Sequence, residues 1–431
     1  MDFSVVILIV SFACLLALSV PISFSIGIAT ILTMLFTIAP GPAITTVAQR
    51  MATGLDSFAL LAIPFFILSG QLMGRGGIAR RLIAFAKVIV GMLPGGLAYV
   101  NILACMFFGA ISGSSVAATS AIGGFMIPLM NKEGYDKNFN AAVTVTASTT
   151  GLLIPPSNIL IVYSLASGGV SIAALFIAGY IPGILVGLGL MLVSFIVALI
   201  RDYRVGERSG LVESVKRFFD AIPSLLLIII VIGGIIAGYF TATEASAVAV
   251  LYALLLSVIL YKEVKLSELP AILLKTVETT AIVMLLIGTS MAMSWILSYE
   301  NIPQNISATL IALTDSKFII LLIINFILLF VGMFMDMTPA VLIFTPIFLP
   351  VIKDLGMEPL HFGIIMVLNL CIGLCTPPVG SVLFVGCGIA DTTIAKITKP
   401  LLPFFVVMIL TLMLVTYIPA LSLFLPRFFG Y

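Results

Sequence analysis

The sequence predicts an all-α polytopic membrane protein built as a two-fold internal repeat, and three observations carry that expectation. The 431 residues are 61% hydrophobic and only 9% charged, against about 25% charged in a soluble domain. The apolar stretches have the length of membrane helices, about 20 residues each, and show none of the short alternating strands of an outer-membrane barrel. Two unusual motifs, GLLIPPSN (151–158) and GLCTPPVG (373–380), recur 222 residues apart.

Taken in order, apolar segments fall near 3–40 (broken around Pro21), 57–74, 82–100, 102–130, 139–165, 170–200, 222–261, 277–298, 305–352, 360–391 and 400–426. The opening MDFSVVILIV has no basic n-region and no small-residue cleavage site, so it reads as a first membrane helix. Basic residues gather in three groups: Arg75, Arg80, Arg81 and Lys87; Arg201, Arg204, Arg208, Lys216 and Arg217; and Lys262, Lys265 and Lys275. Short basic loops face the cytoplasm. The stretches 201–217 and 262–276 read equally as interfacial amphipathic helices or as ordinary loops. The net charge of +2 and the absence of a basic run point to no nucleic-acid partner. The five cysteines lie scattered in apolar segments and read as small core residues.

Sliding the sequence by 222 brings Pro128 onto Pro350, Gly134 onto Gly356, Gly151 onto Gly373, and Pro155 and Pro156 onto Pro377 and Pro378. This divides the chain into repeats at 1–215 and 216–431. Each prolyl pair removes helical hydrogen bonds in lipid, where no water replaces them, so each marks a broken helix, about 139–165 and about 360–391. Upstream lie FFGAISGSSVAATS (107–120) and FVGMFMDMTPAVLIFTP (330–346). Each interrupts an apolar stretch too long for one span, which suits a re-entrant helical hairpin, at about 102–130 and about 318–352. Irregular backbone at membrane depth belongs against protein or a watery cavity.

Two hairpin tips facing two broken helices bring together helix N-termini for an anion and unwound oxygens for a hard cation such as sodium. Ser112, Gly113, Ser114, Ser115, Ser157 and Asn158 supply oxygens in the first half; Thr338, Thr376 and Ser381 supply hydroxyls and Gly332, Met335, Thr376 and Gly380 carbonyls in the second. Small residues also permit close helix packing. Asp336 is an intramembrane carboxylate, a functional candidate by default, and it also stands where an N-cap precedes Pro339. Glu244 reads as a helix cap, Glu278 as interfacial, and His361, the one histidine, as a loop residue. No basic residue lies at either hairpin or break, so an anion there relies on helix dipoles, N–H groups and paired cations.

Those motifs, together with LLAIPFFILSGQLMGRGGIARRL (60–82) and GYFTATEASAVAV (238–250), resemble the large membrane subunit of tripartite ATP-independent periplasmic (TRAP) transporters over essentially the whole chain. The resemblance implies two inverted repeats and an elevator-type fold in a bacterial inner membrane. It implies sodium-coupled import of an organic anion, a carboxylate such as a C4-dicarboxylate or sialic acid, with a lean toward the sialic-acid branch. It also implies a small four-helix membrane subunit and a periplasmic substrate-binding protein as partners. Carried over by motif, one sodium site falls between Ser112, Gly113, Ser114 and the break at Pro155 and Asn158; a second falls between Gly332, Met335, Thr338 and the break at Thr376 and Gly380. The substrate then sits near Ser115, Ser157 and Asp336. A stand-alone anion symporter or exchanger and a passive channel are the other transport readings. An enzyme is disfavoured by one histidine, no HExxH pair and no base beside the GSS segment.

Overall fold

The computed structural model describes residues 3–203, 210–314 and 316–431, and every regular element among them is helical. Arg204 and Arg208, with the middle of the polar 201–217 stretch, lie outside the described residues. The first half runs α1 (Phe3–Ala17), α2 (Ile22–Thr37), α3 (Pro40–Leu55), α4 (Ala62–Arg75), α5 (Ile78–Val90), α6 (Gly96–Ser112), α7 (Ser115–Lys132), α8 (Lys137–Thr150), α9 (Asn158–Ala166) and α10 (Ile172–Ile200). The second runs α11 (Leu211–Ile236), α12 (Ala242–Leu254, continued by a π-helical turn), α13 (Leu269–Tyr299), α14 (Ile302–Leu313), α15 (Lys317–Gly332), α16 (Met337–Asp354), α17 (Pro359–Leu374), α18 (Ser381–Ala390), α19 (Ile394–Tyr417) and α20 (Ala420–Phe428). Seven helical stretches among the described residues are long and apolar enough to cross a membrane.

The repeat register runs well beyond the proline motifs. α7 and α16 begin at Ser115 and Met337 and end at Lys132 and Asp354, 222 residues apart at both ends. α8 and α17, and α10 and α19, begin at the same separation, and α2 with α12 and α5 with α14 nearly keep it.

Several segment expectations are corrected. The 82–100 stretch is no single span: α5 stops at Val90, and Gly95, at φ +73°, turns the chain into α6. Residues 222–261 divide between α11 and α12 at Gly238 (φ +74°), and 305–352 holds all of α15 and most of α14 and α16. Neither basic stretch forms a separate surface helix among the described residues: 211–217 opens α11, and 262–276 is a loop, a short 3-10 turn and the start of α13. His361 is no loop residue. It lies in the first turn of α17, 1% exposed, with Nδ1 2.5 Å from Ser422 Oγ, because α20 folds back over that end of the helix. Cys14 is exposed, while the other four cysteines are buried.

α8 and α17 form the centre. Every residue is buried from 139 to 150 and from 361 to 374. α8 is rich in Thr and Ser, yet its hydroxyls are satisfied within the helix: Thr144, Thr146, Ser148, Thr149 and Thr150 each donate to a carbonyl three or four residues back, at 2.6–2.9 Å. Polar side chains then tie the neighbours on. Asn101 Nδ2 of α6 donates to Thr144 Oγ1 at 2.7 Å, Thr119 Oγ1 of α7 to Ser148 Oγ at 2.7 Å, and Asn369 Nδ2 of α17 to Asn325 Oδ1 of α15 at 2.9 Å. The halves also interlock. α7 packs on α18, α16 packs on α9, and α10 and α19 each contact both α8 and α17.

A second body surrounds this one. α4 packs on α12 and α13, and α13 packs on α2 and α3, so the arm of each half lies on helices of the other. Polar contacts define two end faces. Arg80 and Arg81 meet Glu263, Arg201 meets Asp136 at 3.4 Å, and Lys137 meets Asp391 at 3.2 Å on one face. On the other, Ser4 donates to Glu300 at 2.9 Å, Ser307 to Asp354 at 3.0 Å, and Arg427 meets Glu358. Of the described Lys and Arg residues, Arg50, Lys317, Lys353 and Arg427 belong to the second face, whereas the described members of all three basic groups belong to the first.

Candidate functional site

The first hairpin tip is built by two residues. Gly113 ends α6 at φ +60°, a conformation that favours glycine. Ser114 then caps α7, its Oγ accepting from Ala117 N at 3.3 Å. The second tip, 333–336, works differently. Asp336 occupies the N-cap position of α16, but its carboxylate makes no capping hydrogen bond and no ion pair among the described residues. It is exposed toward a cavity instead. Glu244, by contrast, closes a capping box with Thr241, and Glu278 pairs with Lys275 on the surface.

Each break faces a tip. In the first, residues 151–157 separate α8 from α9, with a cis bond between Pro155 and Pro156. In the second, residues 375–380 separate α17 from α18, with a cis bond between Pro377 and Pro378. A Cβ on Gly113 would lie 3.3 Å from Asn158 Nδ2. Gly380 N donates to Met333 O at 3.4 Å, across the second tip and break. Glycine makes both approaches possible further down. A Cβ on Gly109 would fall 2.6 Å from Gly151 Cα, and one on Gly373 2.6 Å from Gly332 Cα. At each crossing, hairpin arm and broken helix touch backbone to backbone.

Seven buried side-chain oxygens lack a hydrogen-bond partner among the described residues, and two of them lie at the breaks. Asn158 Oδ1, at the first break, and Ser381 Oγ, just past the second, are buried with no hydrogen-bond partner among the described residues. Orphaned buried oxygens are rare and costly. Around Gly380, Leu374 O and Thr376 O converge, 2.8 and 3.1 Å from where its Cβ would stand. This donor set is all oxygen, as a hard cation requires, and no cluster of three or more His, Cys, Asp or Glu occurs among the described residues.

Between the tips lies a cavity of about 520 Å³. It gathers Ser112, Gly113, Ser114, Ser115 and Asn158 from the first half with Asp336 and Thr338 from the second. Pro155, Ser157, Gly332, Met335, Thr376 and Gly380 do not line it. Ser157 is fully buried and spends its hydroxyl on Leu152 O at 2.6 Å, restoring a partner to a carbonyl that the prolines free. Thr376 Oγ1 likewise donates to Ile372 O at 2.7 Å. Along α4 the wall passes from buried Ile63 and Ile67 to exposed Gly74 and Arg75, so the cavity opens at the basic face. Gln71, Arg75, Ser120 and Thr279 also line it; the first three fall inside the quoted motifs, yet residue type and spacing gave none of the four a site role. Arg75 corrects the expectation of a site without a basic residue: it stands outside both hairpins in sequence and reaches the cavity from α4.

Comparison with known proteins agrees with this architecture. The fold is similar to that of the Alcanivorax borkumensis YdaH transporter, with a TM-score of 0.63 at 13% identity over 86% of this chain and 87% of that one. A Salmonella typhimurium protein, YgiK, is 54% identical over the full length of both chains. The C4-dicarboxylate TRAP transporter large permease DctM of Pseudomonas aeruginosa is 42% identical over 94% of each chain. The sialic acid TRAP transporter large permease SiaM of Vibrio cholerae is 38% identical over 97% of each. Residues 9–421 match the family described as the tripartite ATP-independent periplasmic transporter, DctM component. The chain therefore belongs to the DctM family, a transporter permease and no enzyme: the large membrane component of TRAP transporters.

Proposed function

We propose that this permease imports a carboxylate in symport with sodium ions, in a bacterial inner membrane, from a periplasmic binding protein and together with a small membrane subunit. The observation that carries the sodium reading is the pair of orphaned buried oxygens, Asn158 Oδ1 and Ser381 Oγ, one at each break. Bound cations satisfy both atoms and offset the charge of an anion seated between the tips. Anion affinity then depends on sodium, and by linkage sodium affinity depends on the anion.

The basic face is the cytoplasmic one on this reading. The chain crosses with α1, α2, α4, the α8–α9 pair and α10 in the first half, while the α6–α7 hairpin returns to its own face. An odd number of crossings supports inversion of the second repeat. The body centred on α8 and α17 carries both tips and packs against the surrounding arms, a division into two bodies that supports an elevator mechanism. Identity gives the sialic-acid relative no advantage over the dicarboxylate one, so the cargo is assigned at the level of a carboxylate.

The test is uptake of labelled succinate and N-acetylneuraminate into proteoliposomes holding both membrane subunits, with and without the binding protein. Accumulation of at least one of them is expected to require an inward sodium gradient and the binding protein. Full uptake in the absence of either overturns the reading.

A further inference from the structure

Arg75 stands apart from the other described arginines. Arg80 and Arg81 pair with Glu263, Arg201 with Asp136, Arg217 with Glu213 and Arg427 with Glu358, and Arg50 lies over the Trp295 ring. Arg75 has neither an ion pair nor an aromatic face among the described residues, and it lines the cavity. Gln71 lies one turn before it on α4 and lines the same wall.

The end of α4 is fixed. Ser257 Oγ, in the π-helical turn after α12, approaches Leu72 O at 3.2 Å. Gly76, which follows Arg75, packs so closely on Ser257 that a Cβ there has no room. Arg75 therefore belongs to the surrounding body, whereas Ser114, Ser115 and Asp336 belong to the tips of the central one. The cavity is two-sided: a guanidinium on the arm faces hydroxyls and a carboxylate on the tips.

We propose that Arg75, assisted by the Gln71 amide, is a carboxylate-binding residue of the inward-open state, a contact made from the arm and lost when the hairpin body leaves the basic face. This rests on the transport reading for the identity of the cargo as a carboxylate. A guanidinium holds a carboxylate through two parallel N–H donors. Asp336, on a hairpin tip that lines the same cavity, repels that carboxylate and accepts from hydroxyl or amine groups elsewhere on the ligand, so the two charges orient it. Because the cation is on the arm, the contact stabilises bound anion in one state only, which biases the conformational equilibrium rather than affinity in general.

The experiment titrates succinate, and separately N-acetylneuraminate, against thermal unfolding of the purified permease in sodium-containing detergent buffer. Wild type, R75Q and R75K are compared, with melting without anion and gel-filtration profile as folding controls. One of the two anions is expected to stabilise the wild type. R75Q then needs roughly tenfold more of it or higher, the loss of one charge-assisted bond, while R75K keeps part of the effect. An unchanged titration in R75Q, or no stabilisation of wild type by either anion, overturns the proposal. Sodium-independent uptake with an R75Q-sensitive titration sinks the symport reading and leaves Arg75 assigned.

Discussion

Asp336 and Ser157 show how far a residue's type foretells its role. Both were candidates to touch cargo. Asp336 lies free of capping bonds at the cavity wall, whereas Ser157 is turned inward to a carbonyl that the break exposes. The difference follows from the backbone geometry of the tip in one case and of the break in the other, and has no trace in residue identity. Replacing Asp336 by Asn is expected to lower sodium-driven uptake at least tenfold (about 1.4 kcal/mol of lost interaction) with unchanged yield and melting temperature; near-normal uptake would assign it a structural role alone. Gly109 gives a stability prediction. Its would-be Cβ lies 2.6 Å from Gly151 Cα, and neither backbone has a flexible end to yield. G109A is expected to destabilise the fold by about 1–3 kcal/mol, read as a lower melting temperature in detergent; a melting curve like that of wild type would show that the crossing tolerates a methyl group.

At the scale of elements, the hairpins and broken helices function as one body because buried polar groups hold helix to helix. Asn325 and Asn369 join α15 to α17, and Asn325 Nδ2 reaches on to Thr416 Oγ1 of α19 at 3.1 Å. Asn101 and Thr144 make the corresponding link in the first half. N369A removes two donor contacts and leaves Asn325 acceptors unpaired. The expected cost is about 1–2 kcal/mol, measured by thermal unfolding with N369D and N369S for comparison, and equal stability of all variants would contradict it. The breaks were legible in sequence, since Pro-Pro cannot continue a helix, and the tips from Gly-Ser-rich or Asp-x-Thr-Pro segments in apolar stretches too long for one span. The helix ends were less so. An apolar stretch such as 82–100 hides a turn at Gly95, because a turn packed inside protein keeps an apolar composition.

At the scale of the molecule, the interlock of arms and the position of the cavity set the accessible state. The α4 wall closes at Ile63 and opens at Arg75, so this conformation admits solvent from the basic face. Ser120 of α7 lies exposed and lines the same cavity. In a C14S background, S120C is expected to react with a membrane-impermeant thiol reagent from the cytoplasmic side and to be protected from the outside; labelling from outside alone would reverse the assigned orientation.

The sequence by itself determined the class and the parts list. Composition demands a membrane, periodic apolar length demands helices, and a register shared at an offset of 222 residues demands two copies of one design. These are local or self-similar properties, and a linear string records them. What only the tertiary structure decided is which polar atoms meet. Arg75 is 261 residues from Asp336, yet the two line one cavity, while of the neighbours Ser157 and Asn158 the first turns inward to Leu152 O and the second lines the cavity. Such meetings follow from how the arm of one half packs across the other, a long-range arrangement that no local pattern of residue types encodes.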